Sequence, residues 1–221
     1  MTSSPTISGC WFVDNITAES GGGIYCFQSS PLIADCRFSG NTALEGDGGA
    51  VHVLDGRAVM ERCLFTQNLA VGFGGGVCMT AGTHSVIDHC TFHRNDALAG
   101  GNLAILGHAT TEILNCISAA ATRGGGIAAL TDPLTFACND AWQNTGGNYV
   151  HMPDPTGTDG NLTADPLFCE PGTEDFSIRS DSPCAPGFNP DCGLIGAFDV
   201  GCDPPSPVVP TTWGGVKGLF R

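Results

Sequence analysis

The chain has 221 residues, of which 32 are Gly and 12 Cys while only 14% are charged. That profile fits turn-rich, stacked β structure better than a helical enzyme. Its 22 acidic side chains against 8 basic ones give a formal charge of −14, which repels phosphate backbones and anionic membranes and sets nucleic acid aside as a partner.

The first recognisable unit is CWFVDN at Cys10, and it returns as CRFSGN at Cys36, CLFTQN at Cys63 and CTFHRN at Cys90. With Cys116 and Cys138 added, the steps between cysteines are 26, 27, 27, 26 and 22 residues. A glycine pair keeps the same period, at Gly21, Gly48, Gly74, Gly100, Gly124 and Gly146. A unit of this size cannot bury its own apolar face and must stack on copies of itself. Within each unit the apolar positions alternate, as in Cys36 and Phe38, Val51 and Val53, or Val77 and Met79, which predicts at least two short strands per repeat. The expected fold is all-β, a single-stranded parallel β-helix of about six coils over residues 1–152.

In-register stacking turns each repeated position into a column. Cys10, Cys36, Cys63, Cys90, Cys116 and Cys138 are expected in one interior ladder, as free thiols. Phe12, Phe38, Phe65 and Phe92 form a second, and Asn15, Asn41, Asn68 and Asn95 a third, at the turns, where stacked amides satisfy the backbone and each other. Ser118 and Asp140 stand where Phe is expected, and Ala121 and Gln143 where Asn is expected, so the last two coils should be irregular. On the second strand, alternation turns Cys26 inward and Cys78 outward.

The paired motifs F-x-x-N and G-G-[AGN]-[ILV] resemble the polymorphic outer-membrane-protein repeat. More broadly they resemble the right-handed parallel β-helix proteins of the pectate-lyase-like superfamily, over about residues 1–152. The resemblance implies a right-handed helix and raises polysaccharide as a substrate or surface partner. Enzymes of that superfamily carry clustered acidic calcium ligands with a Lys or Arg, or paired Asp residues, on one outer face. Here the single lysine is Lys217, and Arg37, Arg57, Arg62, Arg94, Arg123 and Arg179 belong to different coils. Glu61 and Asp88, each two residues before a ladder cysteine, are the closest approach to an acid pair. His89 and His93 are read as outward positions and not as metal ligands. No catalytic, metal or cofactor site is assigned.

From residue 153 the register gives way to Pro, Gly, Asp and Cys. Residues 153–202 are read as a C-terminal cap completing the helix, with its substance in Asp165 to Cys202, a stretch resembling the closing segments of bacterial β-helix arrays. Its four cysteines allow three pairings, of which Cys184 with Cys192 and Cys169 with Cys202 is preferred, implying an oxidising compartment. Residues 203–221 read as a Pro-rich linker and a short tail in which Trp213, Val216 and Phe220 share one helical face. Nothing comparable to a cap precedes Cys10, so the chain is expected to be part of a longer exported protein or to associate end to end with another copy. The functional expectation is a non-catalytic extracellular or cell-surface structural or adhesion protein; the alternative is a polysaccharide-binding or polysaccharide-degrading one.

Overall fold

A computed structural model describes residues 4–81, 84–107, 110–130 and 134–204, which form a parallel β-solenoid with almost no helix. The tail positions Trp213, Val216 and Phe220 lie outside the described residues. Among the described residues no helix is long and apolar enough to cross a membrane.

The chain winds repeatedly through three long sheets, each of six parallel strands. The first begins with Thr6–Ser8 and Leu32–Ala34, the second with Trp11–Val13 and Arg37–Ser39, and the third with Ile24–Phe27 and Val51–Leu54. A short corner sheet joins Ile16–Thr17, Thr42–Ala43 and Leu69–Ala70. Each full coil therefore contributes three strands to the long sheets. The one that alternation does not reveal is short, three residues in Leu32–Ala34 and Val59–Glu61 and five in His84–Asp88 and Thr110–Leu114. A partial seventh turn follows, where Leu162 bridges Asp140.

Register is what the repeats encode. Phe12 pairs with Phe38, Phe38 with Phe65 and Phe65 with Phe92. Their rings stack at centroid distances of 4.8, 4.9 and 4.7 Å, with planes within 8° of parallel. Corners between the first and second sheets are made by single residues with positive φ: Asp35, Arg62, His89, Asn115 and Cys138, at 54°, 50°, 47°, 52° and 58°. Short polar side chains tolerate that region best. At Gly75 a Cβ would run into the carbonyl oxygens of Asp96 and Gly101, so coils three and four approach there only because the side chain is missing.

The asparagine column is a continuous buried chain of amides. Asn41 donates from both its backbone N–H and its side-chain amide to Asn68 Oδ1, at 2.9 Å each, and Asn68 repeats this toward Asn95. The cysteines do related work. Cys36, Cys63, Cys90 and Cys116 are buried and unpaired, and each thiol donates to a carbonyl of the previous coil, as Cys116 does to Ile87 O at 3.6 Å. Cys10 and Asn15, in the first coil, are exposed.

Four expectations are corrected. Cys138 is not on the ladder: coil six is shorter, Asn139 takes the ladder position, and its amide donates to Ile113 O at 2.7 Å as a ladder thiol would. Cys138 instead occupies the positive-φ corner, which turns its side chain away from the core column and lets it bond to Cys192. The Cys184–Cys192 pairing is therefore replaced by Cys138–Cys192, and Cys184 is a buried free thiol. Cys169 is bonded to Cys202. Coils five and six remain in register, Phe92 with Ser118 and Ser118 with Ala141. The amide column survives there because Asn102, from the glycine motif, accepts from Asn95 and donates to Asn144 at 3.1 Å.

The fourth correction concerns only the Asp165 to Cys202 part of the cap. Phe168–Glu170, Asp175–Arg179 and Val200–Cys202 form a separate three-stranded sheet that does not finish the last coil but runs back along the outside of the second long sheet. Glu174 reaches Ser39 at 3.2 Å, the Ala197 N–H reaches Thr91 Oγ1 at 2.9 Å, and Phe198 lies against Arg37. A second apolar cluster, including Ile117, Ile178, Cys184 and Ile195, holds this segment down. Residues 157–162 cover the last coil, Asn161 extending the column from Asn139 at 3.0 Å.

Candidate functional site

Three places combine position with chemistry. The first is the face of the first coil that no described residue covers. Phe12 is stacked on Phe38 and on no other ring among the described residues. Asn15 donates to Asn41 Oδ1 at 2.8 Å, but no described group donates to its own amide oxygen. Among the described residues, Trp11, Val13, Ile16, Tyr25 and Phe27 are five of eleven exposed large apolar side chains, so the exposed apolar surface described is concentrated in this one coil.

The second is a groove between the second sheet and the returning C-terminal segment, with hollows of about 340 and 270 Å³. Its walls carry His93, Arg94, Trp142, Gln143, Phe168 and Arg179. His93 packs edge-on against Phe168 and tilted against Phe176, at 5.9 and 5.0 Å. Burial, helped by the charge of Arg94, pushes its pKa down to about 4, so it sits in the groove as a neutral ring at ordinary pH. Arg179 is bound by Asp181 at 2.7 Å.

The third is a cluster on the outer side of the third sheet. Cys78 pairs in register with His52 on the neighbouring coil, and Asp47 lies in the glycine bend that leads into the His52 strand. One carboxylate oxygen, one imidazole nitrogen and the thiol sulfur lie within 4.8 Å of one another. Cys78 faces away from the core column, yet it is fully buried, and His52 nearly so. Burial pushes the Cys78 thiol up and the His52 imidazole down. Alternation identifies Cys78 as outward, but only the register of coils two and three brings His52 and Asp47 to it.

A family model described as right handed beta helix region matches residues 22–152. The chain belongs to the right handed beta helix family. Comparison with curated proteins and with solved structures gave no match.

Within this right handed beta helix several of the remaining ionisable residues are already partnered. Glu61 and Asp88 are adjacent in register, but Glu61 binds Arg62 at 3.3 Å and Asp88 binds His89 and Asn115, each at 2.8 Å. Arg37 and Arg62 line one shallow hollow beside Phe198. There Arg62 is clasped by Asp35, whose carboxyl the guanidinium holds below its usual range, and Arg37 lies over the rings of Trp11 and Phe198 at 5.4 and 5.1 Å. Arg123 binds Asp96 at 2.8 Å. These exposed pairs link successive coils along the outside, each contributing little on its own.

Proposed function

We propose that this β-helix is a non-catalytic structural or adhesive element of an extracellular or cell-surface protein, and that its open coil docks onto a further coil, supplied by a second copy end to end. The observation that carries the reading is the first coil: a half-covered Phe ring and an amide oxygen without a donor, which is what each inner coil offers its neighbour, beside a row of exposed apolar side chains on the outer surface. A head-to-tail contact, made on the turn of residues 157–162 that covers the last coil, does not close and produces an open filament. The F-x-x-N and G-G-[AGN]-[ILV] repeats favour a place beside the polymorphic outer-membrane-protein repeats, within the pectate-lyase-like superfamily. The two disulfides favour an oxidising compartment.

Light scattering coupled to size exclusion, over a range of concentrations, and electron microscopy of the same samples test this. Because each copy carries −14, association should strengthen as salt screens the repulsion. It should be lost in the double variant Val13→Lys, Ile16→Lys. A single monomeric species at every concentration and salt, or association unchanged in the variant, refutes the reading.

The groove supports a second reading, polysaccharide binding, because Trp142 and Gln143 line one of its hollows and Arg94 and Gln143 the other. Affinity electrophoresis through neutral and acidic polysaccharides, with Trp142→Ala as the control, separates it from the first. Retardation abolished by that substitution supports groove binding, and unchanged mobility in every gel removes it.

A further inference from the structure

The Asp47, His52 and Cys78 cluster is not part of any repeated column. On the outward side of the third sheet the successive residues are Tyr25, His52, Cys78, Ala104 and Ala128. Ser20, Phe73 and Ala99 stand where coil two has Asp47. Among the described residues, three of metal-binding type therefore meet at one place, across coils two and three.

Their hydrogen bonding leaves one lone pair unanswered. His52 Nε2 lies 2.9 Å from Thr80 Oγ1, and Thr80 Oγ1 lies 3.7 Å from Cys78 Sγ. With the imidazole proton on Nε2, donated to the threonine, Nδ1 is a bare acceptor. It is buried and has no hydrogen-bond partner, an arrangement folded proteins rarely leave unresolved. Asp47 uses Oδ1 to accept from the Phe73 N–H at 2.8 Å, and a carboxylate has further lone pairs to offer. A nucleophilic role for Cys78 is ruled out by access, since its side chain is 0% exposed.

We propose that Asp47, His52 and Cys78 hold a zinc ion that clips coil two to coil three. The ligand set of one thiolate, one imidazole and one carboxylate suits zinc, whereas calcium and magnesium take oxygen ligands throughout. Bonds of about 2.0 Å to nitrogen and oxygen and about 2.3 Å to sulfur place tetrahedral ligand atoms roughly 3.3–3.5 Å apart. An imidazole nitrogen, the thiol sulfur and a carboxylate oxygen lie within 4.8 Å of one another, so binding draws the three side chains together by up to about 1.5 Å, with the partly buried Asp47 the freest of them to move. Cys78 releases its thiol proton to solvent on binding. The Thr80 contact orients the imidazole from behind, as the outer partners of zinc-bound histidines do. The fourth position is left for water on the Asp47 side.

Titration of the metal-free chain, its two disulfides intact and its other cysteines kept as thiols, with cobalt(II), followed by displacement with zinc, tests the site. One equivalent of cobalt should produce a thiolate-to-cobalt charge-transfer band in the near ultraviolet together with the visible bands of a tetrahedral ion, and zinc should abolish both. The band should vanish in Cys78→Ser and persist in Cys184→Ser and Cys26→Ser. Thr80→Val should weaken binding about 10–100-fold. Should Cys78→Ser fail to fold, Asp47→Asn and His52→Gln carry the test, each expected to weaken zinc at least tenfold and to remove the rise in melting temperature that zinc gives the wild type. Absence of a band, a band that survives Cys78→Ser, or wild-type affinity in Asp47→Asn and His52→Gln overturns the proposal.

Discussion

Replacement of Asn68 by Ala removes four hydrogen bonds at one buried point. Asn68 Oδ1 accepts from the Asn41 backbone and side-chain amides, at 2.9 Å each, and its Nδ2 donates to Phe38 O at 3.0 Å and Asn95 Oδ1 at 2.9 Å. The Asn41 N–H, the Asn41 amide and the Phe38 carbonyl are left without these partners in a fully buried setting. At about 1–3 kcal/mol for each buried group left unpaired the sum is roughly 3–9 kcal/mol. A water entering the space of the lost amide satisfies part of it, so the expected loss is about 3–5 kcal/mol. Asn15→Ala supplies the internal control, since Asn15 is exposed and only donates; about 0.5–1 kcal/mol is expected there. Urea unfolding followed by circular dichroism, fitted with nearest-neighbour terms because stacked repeats need not unfold as one unit, gives both values. Hydrogen exchange at the Asn41 amide should accelerate in Asn68→Ala alone. A loss below about 1 kcal/mol, or equal losses for the two variants, would show that the amide column does not hold the coils in register.

Asp140 is fully buried, and burial pushes its pKa up to about 6 against an ordinary 3.8. Between those values the folded chain holds a proton that the unfolded chain has lost, so this group's contribution falls as pH rises through the window, by about 2–3 kcal/mol. His93, displaced downward, works in the opposite direction. The measurement is therefore the stability of wild type minus Asp140→Asn between pH 4 and 7, and a flat difference refutes the assignment. Cys192→Ser opens a crosslink spanning 54 residues, and about 4 kcal/mol should be lost on the loop-entropy estimate. Peptide mapping without reductant should join Cys138 to Cys192 and leave Cys184 to be alkylated only after unfolding; a Cys184–Cys192 peptide contradicts the structure. Gly75→Ala should cost more than about 3 kcal/mol because backbone oxygens from the next coil occupy the Cβ position. Gly9→Ala, with nothing within 4 Å, should cost only about 1–2 kcal/mol for its φ of 62°, and equal melting temperatures for the two variants would count against the coil spacing.

Coils were legible because a column of identical side chains writes its own period: Phe38, Phe65 and Phe92 cannot stack unless the residues between them make one complete turn. Counting from cysteine to cysteine failed at coil six for a related reason. A strand's side chains alternate, so a one-residue slip moves Cys138 from column to corner and puts Asn139 in its place. Asn102 was hidden because it enters the amide column from the glycine motif and not from F-x-x-N. The C-terminal segment carries no period at all, and its contacts with Ser39 and Thr91 join residues 135 and 106 positions apart. The zinc-type cluster lay between these cases. Laying Gly48 against Gly74 sets His52 beside Cys78, but Asp47 joins them only through the shape of its bend.

A stack of equivalent turns has no natural length, since another turn can be added with the same contacts above and below. The strand sheet that returns along the outside does have one. It is fastened near the last coil by the Cys138–Cys192 bond and by Cys184 beside Asp140, and it reaches coil two through Glu174 and Phe198. Insertion or removal of one turn would shift these fastenings by about 4.8 Å, enough to break each of them. The C-terminal segment is thus a gauge for the solenoid: it measures the distance from the sixth turn to the second, and it fits only when the number of turns is right.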